Sequence, residues 1–416
     1  MHILFLTDNF PPEVNAPASR TFEHCREWVS LGHRVTVITG VPNFPKGRVF
    51  EGYRNRLCQT EDMAGIRVIR VWTYITANEG FARRILDYCS YMIAAILAAP
   101  FVRGVDVVVG TSPQLFTVCA AYVVGLYRRV PYVFELRDLW PESIRAVGAM
   151  QDSAALRVLE RLELFLYRQA AAVVSVTNAF RDNLIRRGID GCKISVVTNG
   201  VDIGRFRPRP KDEALARDLG LHGRFVAGYI GTHGMAHGLE TLLEAAALLQ
   251  ELPDGDAYRI VLLGDGASKE ALITRARSMN LINVVFLDSV PKDEVVRYWS
   301  LLDVAVIHLR KTKLFTTVIP SKLFECMGMG LPVLHGVAGE SAGIVGREGV
   351  GIVFEPEDAK ALCDGLTRLR HDAALYRSCR ENALTAAARY DRTALALAML
   401  GRLEAVVGNP TSVQAP

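Results

Sequence analysis

Two charged residues, Lys322 and Glu325, lie three positions apart in the otherwise apolar segment PSKLFECMGMGLPV, residues 320–333. Side chains at positions i and i+3 share one face of a helix, so the spacing predicts a short helix that turns both charges the same way. A structural ion pair between the two side chains would account for both residues without a functional role. We favour a ligand site, in which Lys322 binds a phosphate and Glu325 binds a diol.

A glycine-rich turn, GTHGMAHG at residues 231–238, runs from an apolar strand into a helix predicted from Leu239 to Gln250. Glycines permit tight backbone geometry, and amides at a helix start bind anions. His233 and His237 could add two further hydrogen-bond donors. Histidines in loops are often only polar surface residues, so a plain connection stays open beside the diphosphate site that this turn suggests.

Two loops in the first half of the chain carry candidates of another kind. DNFPPEVNAPA, residues 8–18, ends in small residues that include Asn15 and Ala16 and would let a ligand approach a helix N-terminus. ELRDLWPE, residues 135–142, gathers Arg137 and Asp138 with two further acids at the end of an apolar strand. Charges at such a strand end favour a site, whereas a connecting loop and an ion pair are the structural alternatives.

Short β-branched runs that alternate with helical stretches must position these loops. A first set of strands covers residues 2–7, 34–39, 66–71, 105–110, 131–136 and 172–176, and a second set covers 225–230, 259–263, 284–287, 304–307, 332–334 and 351–354. Continuous apolar strands separated by helices predict two doubly wound α/β domains, each with a parallel sheet covered on both faces. In such sheets ligands bind beyond the carboxyl ends of the strands.

The domain boundaries are predicted from composition. Prolines and charges at residues 207–224 indicate a linker, so we expect a first domain over 1–207 and a second over 208–390. A helix at 391–407 could pack back on the first domain, and residues 408–416 are expected to form a short disordered tail.

Composition and charge exclude several classes of protein. The 416 residues are 50% hydrophobic and 22% charged, which is ordinary for a folded globular protein and too apolar for disorder. The eight cysteines form no CxxC pair or zinc-like cluster, so we expect reduced thiols, no metal site and a cytoplasmic location. The apolar start of the chain is too short for a signal peptide. Residues 1–207 carry 25 basic and 19 acidic residues, net +6, yet no basic run with interleaved aromatics suggests nucleic acid.

Two segments resemble a known family. Asn-Gly-Val-Asp-x3-Phe-x-Pro at residues 199–208 and Lys-Leu-Phe-Glu-Cys-Met-Gly-Met-Gly-Leu-Pro-Val at 322–333 resemble motifs of the family 4 retaining glycosyltransferases of the GT-B fold, and the resemblance covers nearly the whole chain. In that family, the Glu that matches Glu325 binds the ribose of the donor nucleotide. The segments Phe-Pro-Pro-Glu, Arg-Asp-Leu-Trp-Pro-Glu and Pro-Ser-Lys-Leu-Phe-Glu resemble O-antigen and capsule enzymes of the family, L-fucosamine transferases among them.

The resemblance implies a GT-B fold of two Rossmann-like domains facing a cleft, with the acceptor bound in the first domain and the nucleotide sugar, expected to be UDP-linked, in the second. It implies a metal-independent, retaining reaction that needs no cofactor. The residues expected to be catalytic are Arg137, Asp138 and Lys322. The donor-binding residues expected are Asn15, Ala16, Gly231, Thr232, His233, Gly234, His237, Gly264, Asp265, Gly266, Ser321, Lys322, Leu323 and Glu325.

The chain departs from the family pattern at three places. Thr317 stands where a first Glu is usual, Thr232 or His233 with His237 replaces a basic pair, and Arg137-Asp138 replaces a His-Asp pair. Lys322 could substitute for the missing cation. Two other functions therefore stay open, a hydrolysing UDP-sugar 2-epimerase and a catalytically silent sugar-nucleotide-binding subunit.

The acceptor expected for such an enzyme is linked to undecaprenyl diphosphate and lies in a membrane. Residues 81–102 form a long apolar stretch that starts with Arg83 and Arg84 and is interrupted by Asp87. It falls short of the roughly 20 apolar residues that a spanning helix needs. A core helix and an amphipathic helix in the bilayer interface are both open, and the basic first half favours peripheral attachment to the cytoplasmic face of the membrane.

Overall fold

The computed structural model describes residues 1–13, 15–44, 47–76, 81–139, 154–291 and 293–408. Its contacts divide the chain into two compact units, one of Met1–Thr198 with the residues from Arg392 onward and one of Asn199–Asp391. The change of unit precedes the boundary expected after residue 207, because Val201 and Phe206 are buried in the core of the second unit. The expected tail lies almost wholly outside the described residues.

The first unit is built on one eight-stranded sheet. Its strands are β1 (His2–Leu6), β2 (Arg34–Thr39), β3 (Cys58–Met63), β4 (Ile66–Val71), β5 (Val107–Thr111), β6 (Tyr132–Leu136), β7 (Ala172–Ser175) and β8 (Ile194–Val196). They lie in the order β3-β4-β2-β1-β5-β6-β7-β8, with only the β3–β4 pair antiparallel. Leu4 of β1 lies level with Thr36 of β2 and Val108 of β5.

Helices cover both faces of this sheet. They are α1 (Ala16–Ser30), α2 (Phe81–Ala98), α3 (Leu115–Arg128), α4 (Ala154–Gln169) and α5 (Asn178–Arg186). The Asn15 side chain starts α1 by accepting a hydrogen bond from the Ala18 amide at 2.8 Å, which satisfies one of the amides that a helix N-terminus leaves unpaired. Both sides of β1 are buried, because Leu4 and Leu6 lie in one core cluster and Ile3 and Phe5 in another.

The second unit has a six-stranded, wholly parallel sheet. Its strands are β9 (Phe225–Ile230), β10 (Tyr258–Leu263), β11 (Val284–Leu287), β12 (Val304–His308), β13 (Val333–Gly336) and β14 (Gly351–Val353), and they lie in the order β11-β10-β9-β12-β13-β14. Its helices are α6 (Glu213–Asp218), α7 (Glu240–Gln250), α8 (Lys269–Ser278), α9 (Val295–Trp299), α10 (Lys322–Met329), α11 (Glu340–Glu348), α12 (Ala359–His371) and α13 (Ala373–Arg389). The prediction of two doubly wound α/β domains is confirmed.

The last helix, α14 (Arg392–Gly408), belongs to the first unit. It packs against α1, where the Trp28 indole nitrogen donates to the carbonyl of Ala396 at 2.8 Å. Met399 and Leu403 of α14 are fully buried in the core cluster that holds Trp28. An apolar stripe of α14 therefore completes one face of the first sheet.

Candidate functional site

The carboxyl ends of β9, β10 and β12 and the start of α10 gather most of the candidates in the second unit. The loop after β9 begins at Gly231 and is braced from within, since the Tyr229 hydroxyl donates to the carbonyl of Thr232 at 2.9 Å. The amides of Gly231 and His233 already donate to the carbonyls of Leu263 and Asp265, at 2.9 and 2.8 Å. The amides of Thr232 and Gly234 have no acceptor among the described residues, so they are the ones that a ligand could use.

Lys322 lies beside this loop. Its Nζ atom is 3.6 Å from the centroid of the Tyr229 ring and is buried without a hydrogen-bond acceptor among the described residues. A Cβ atom on Gly231 would come within 2.7 Å of the same Nζ. Burial lowers the pKa of Lys322 to about 7, in spite of the opposing effect of nearby Glu325. An ammonium group that lacks an acceptor is costly to bury, so this position is suited to a bound anion.

The two loop histidines are neutral donors rather than cations. Burial, then Lys269 and Lys322, lowers the pKa of His233 to about 4, and burial and Lys322 lower that of His237 to about 4. The side chain of His233 is fully buried, and neither ring nitrogen has a partner among the described residues. Each neutral ring can donate one hydrogen bond but adds no positive charge.

A second glycine loop, Gly264-Asp265-Gly266, follows β10 and lies directly against the first. A Cβ atom on Gly264 would overlap the carbonyl oxygen of Gly231, and Gly264 has a φ of +147°, which favours glycine. Lys269 of α8 fixes this loop from below, because its Nζ donates to the carbonyl of Gly264 at 2.9 Å and to Asp288 at 2.6 Å. The two loops therefore form one backbone surface.

Two residues that the sequence did not single out, His308 and Arg310, hold the first loop from behind. His308 Nδ1 donates to the carbonyl of His237 at 2.7 Å, while its Nε2 accepts from the Glu357 amide at 2.9 Å. One nitrogen must donate and the other must accept, so the ring is held as the neutral tautomer with its proton on Nδ1. Burial lowers its pKa, in agreement.

Arg310 makes two contacts to the same loop and one to the helix that follows it. Its amide donates to the carbonyl of Ala236 at 2.9 Å, and its Nε donates to the carbonyl of Met235 at 2.7 Å. Its guanidinium also pairs with Glu240 at 3.2 Å. This pair occupies the first turn of α7, which starts at Glu240 rather than at the expected Leu239. The first turn of α7 therefore carries a carboxylate that is paired with an arginine. The anion site expected at the glycine-rich turn stays a prediction.

Three other candidate residues, Ser321, Leu323 and Glu325, lie at the start of α10 in different environments. Lys322 Nζ does not hydrogen-bond Glu325, so the pair is not the ion pair that was the structural alternative. Glu325 is half-buried in the first turn of the helix, and Ser321 precedes it as a half-buried N-cap residue. The Leu323 side chain is fully buried and packs in the hydrophobic core of the second unit.

In the first unit, Arg137 is tied to the start of α1. Its Nη1 donates to the carbonyl of Pro17 at 3.1 Å, next to Ala16 and the capping residue Asn15. Burial lowers its pKa to about 10. The Ser112 hydroxyl accepts from the amides of Arg137 and Asp138, at 2.7 and 3.3 Å. Residues 140–142 of the same segment lie outside the described residues.

No group of three metal-ligating side chains occurs in the described ranges. The sequence does contain an Asp-x-Asp triplet, Asp254-Gly255-Asp256, just before β10. Asp256 pairs with Arg224 at 2.5 Å and with Arg259 at 3.3 Å, and Asp254 pairs with Arg370. These carboxylates lie at the amino end of the sheet, away from the candidate site, and are held by arginines.

Two protein families match consecutive parts of the chain. Residues 15–200 match the glycosyl transferase 4-like domain, and residues 211–385 match the glycosyl transferases group 1. WcaI of Escherichia coli K12, named as a colanic acid biosynthesis glycosyl transferase, is 23% identical over 88% of this chain and 91% of its own. A GDP-mannose-dependent alpha-mannosyltransferase of Mycobacterium tuberculosis is 24% identical over 90% of each chain.

Solved structures share the fold. Sucrose-phosphate synthase from Thermosynechococcus elongatus aligns over 98% of this chain and 99% of its own with a TM-score of 0.75 and 16% identity. HepE of Anabaena in complex with UDP aligns over 97% of this chain and 100% of its own, with a TM-score of 0.71 and 17% identity. At such low identities these likenesses establish the fold.

Proposed function

This chain consists of a glycosyl transferase 4-like domain followed by a domain of the glycosyl transferases group 1, and from that pairing we propose that it moves a sugar from a nucleotide diphosphate to a lipid-linked or glycan acceptor in surface polysaccharide synthesis. The observation that carries the proposal is the buried Lys322 ammonium, which lacks an acceptor and lies against the paired glycine loops. The UDP complex of the similar HepE structure supports UDP as the nucleotide. The name of WcaI supports a surface polysaccharide as the product.

We infer that the donor diphosphate binds where Lys322 meets the loop after β9. Lys322 supplies the positive charge, and the amides of Thr232 and Gly234 with the rings of His233 and His237 supply hydrogen bonds. Donors fixed in place before the reaction stabilise charge as it develops on a leaving group, and they do so most strongly where water is excluded. Glu325, in the first turn of α10, is proposed to accept hydrogen bonds from the ribose hydroxyls.

The reaction that suits these groups is retaining transfer without a metal. An acceptor hydroxyl attacks the anomeric carbon from the side of the leaving diphosphate while the bond from that carbon to the phosphate oxygen breaks. The hydroxyl proton passes to the departing phosphate oxygen. Lys322 then balances the charge on the diphosphate, in the role that a divalent cation has in other transferases. The sugar is proposed to be an amino sugar, from the resemblance to O-antigen enzymes.

The test is calorimetric binding of UDP and GDP to the full chain, followed by nucleotide release from a panel of UDP-sugars with and without undecaprenyl-diphosphate-linked glycans. We expect UDP to bind, and one UDP-sugar to release UDP only when an acceptor is present. The same assays are run on Lys322→Ala. Its matched control is Lys360→Ala, because Lys360 is an exposed lysine on α12 that pairs with Asp364.

Two results of that test would contradict glycosyl transfer and favour one of the two alternative functions. Free N-acetylmannosamine with UDP from UDP-N-acetylglucosamine alone would identify a hydrolysing 2-epimerase. Binding of UDP without acceptor-dependent release from any donor would leave a sugar-nucleotide-binding subunit. Failure of every nucleotide to bind would contradict the site itself.

We also propose that the protein is cytoplasmic and attaches to the inner face of the membrane through α2. Contrary to the expectation from the sequence, the stretch Arg83–Phe101 is long and apolar enough to span a membrane by length and composition alone. In this structure 22% of it is buried. One face contacts the core, where Tyr91 and Ala95 are fully buried. The opposite face exposes four large apolar side chains at helical spacing, Leu86, Ile93, Leu97 and Phe101, which are 54–78% exposed.

Exposed arginines flank this apolar face. Arg83 and Arg84 lie at the start of α2, and Arg103 follows its end. An apolar face between basic residues suits the interface of an anionic bilayer. The protein should sediment with anionic liposomes less strongly as salt rises, because screening weakens the attraction of the arginines. Replacing Arg83 and Arg84 with Glu should release it, whereas the same change at the exposed Arg181 and Arg186 of α5 should not. A wild-type protein that stays in the supernatant at low salt would show that this face serves another purpose.

A further inference from the structure

The segment RPRPKD, residues 207–212, lies at the amino end of the second sheet, just before α6. Lys211 Nζ pairs with Asp303 at 2.7 Å, and the other oxygen of Asp303 accepts from the Val226 amide at 2.8 Å. Asp303 precedes β12 and Val226 lies near the start of β9, so the segment is anchored where these strands begin. The candidate donor residues lie at the opposite end of the same strands, and the length of β12 separates the two ends by roughly 13 Å.

A cavity of about 700 Å³ lies between this segment and α9. Its charged lining consists of Arg207, Arg209 and Arg297 with a single carboxylate, Asp212, which gives a net charge of +2. The volume is in the range of pockets that bind small organic molecules. The cavity is therefore large enough for an organic ligand, and its charge favours an anionic one.

The carboxylate in the lining is already engaged. One oxygen of Asp212 accepts from the Leu215 amide at 2.9 Å, and the other accepts from Arg297 Nε at 2.5 Å. This second contact orients the Arg297 guanidinium and leaves its two Nη atoms for a ligand. Arg207 and Arg209 are exposed and have no ion pair or side-chain hydrogen bond within the part of the chain that the structure describes. The positive charge of the cavity is therefore not neutralised by the protein.

Pro208 and Pro210 restrict the backbone that carries the two exposed arginines. Each proline fixes its own φ, and it confines the residue before it, here Arg207 or Arg209, to extended conformations. Both arginines line the same cavity. The planar guanidinium group matches the oxygen atoms of a phosphate with two parallel hydrogen bonds, and donors on a pre-ordered backbone lose less entropy on binding. Phosphate is therefore the anion that suits this lining best.

We propose that this cavity binds a phosphorylated small molecule, a phosphate monoester or a diphosphate that carries at least two negative charges. Arg207, Arg209 and Arg297 bind the phosphate oxygens, and the remaining volume holds the organic part of the ligand. The inference goes beyond the proposed function and does not depend on it, because no residue of the donor site takes part.

The test is ³¹P NMR titration of the full chain with glucose 6-phosphate, with and without saturating UDP. Dimethyl phosphate, a singly charged diester, is the comparator. We expect glucose 6-phosphate to bind equally in both conditions, and dimethyl phosphate to bind more weakly by roughly tenfold. Arg207→Gln and, separately, Arg209→Gln should each weaken glucose 6-phosphate by roughly tenfold or more, because each removes a charged donor to the phosphate. Arg377→Gln, at an exposed arginine on α13, is the matched control and should bind as the wild type does.

Three results would overturn the inference. The first is a wild type that does not bind glucose 6-phosphate, or two variants that bind it as the wild type does. The second is displacement of glucose 6-phosphate by UDP together with its loss in Lys322→Ala, which would assign the phosphate to the donor site. The third is binding of the wild type to phosphatidylglycerol vesicles, but not to glucose 6-phosphate, that both variants lose, which would assign the arginines to a membrane surface.

Calorimetry with UDP on the same samples separates this inference from the proposed function. Absence of UDP binding in every sample would overturn the proposed function while leaving the cavity as a phosphate site. Thermal unfolding verifies that each variant is folded, and the Arg209 variant decides the outcome if the Arg207 variant does not fold.

Discussion

The Lys322 ammonium lies 3.6 Å from the centre of the Tyr229 ring and has no hydrogen-bond acceptor among the described residues. Contact with an aromatic face compensates part of the cost of burying the charge. The remaining cost is visible in the pKa of Lys322, which burial lowers to about 7. The group is thus poised between its charged and neutral forms at physiological pH, and a bound diphosphate would favour the charged form.

Binding of UDP should therefore be accompanied by proton uptake at about pH 8, where free Lys322 is mostly neutral and the complex needs it charged. The affinity should fall as the pH rises above about 7. Calorimetry in two buffers of different ionisation enthalpy measures the uptake. Lys322→Ala should abolish it and lower turnover by roughly a hundredfold, with little effect on uridine. An enthalpy that does not depend on the buffer would refute the role of Lys322.

Glu325→Ala should weaken UDP binding by about 1–3 kcal/mol, the cost of leaving the ribose hydroxyls without a charged acceptor. A double-mutant cycle sharpens the test, because UDP that lacks its 2′ and 3′ hydroxyls should bind equally to the wild type and the variant. Equal affinity of both proteins for UDP itself would show that Glu325 does not contact the ribose.

Loss of His308 should destabilise the second unit and weaken donor binding, although His308 need not touch the donor. His308→Ala leaves the carbonyl of His237 and the amide of Glu357 without partners, which should lower the free energy of unfolding by about 1–3 kcal/mol. His308→Asn can still donate near the Nδ1 position and should restore part of the donor KM. Urea unfolding and initial rates measure the two effects, with the exposed His371→Ala as the control. A change in kcat at unchanged KM and stability would contradict this positioning role.

Acid should destabilise the second unit through its buried histidines. Burial lowers the pKa of His233 and His237 to about 4 and that of His335 to about 3, from a usual value of 6.5. Below pH 6.5 the unfolded chain therefore binds more protons than the native one, so the stability present at neutral pH is lost as the pH falls toward 4. Urea midpoints at about pH 7 and about pH 5 should differ, and replacing His237 with Asn should reduce the difference. Equal midpoints would show that these rings are not neutral.

Asp138→Asn should lower turnover by roughly a hundredfold while leaving UDP affinity unchanged, if Asp138 serves the acceptor side. The Ser112 hydroxyl holds its amide, so the backbone position should survive the change. Nucleotide release and calorimetry on the same sample separate the two effects. A parallel fall in UDP affinity would show that the segment is structural.

The sequence was sufficient where local pattern determines structure. β4 and β9 have the bounds that the apolar runs at 66–71 and 225–230 predicted. β3 was missed because its residues alternate between exposed and half-buried at the antiparallel edge of the sheet, which leaves no apolar run. The spacing of Lys322 and Glu325 placed both on α10, as expected.

The remainder of the site depends on contacts between distant parts of the chain. Arg310 binds the carbonyl of Met235 from 75 positions away, and no local pattern marks either residue. The amides of Gly231 and His233 were expected to be available, but their acceptors, Leu263 and Asp265, come from the next strand and its loop. His308 could have been noticed at the end of an apolar strand, as the other strand-end residues were.

The contact between the two glycine loops has a consequence for attempts to redesign this protein. Because the backbone at Gly264 leaves no room for a side chain beside the carbonyl of Gly231, neither loop can change length or course without the other. Transplanting residues 231–238 from a relative should therefore succeed only when residues 264–266 are transplanted with them. Selectivity for a different donor sugar would be easier to alter at side chains on the rim, such as the 74% exposed Met235, than in this shared backbone.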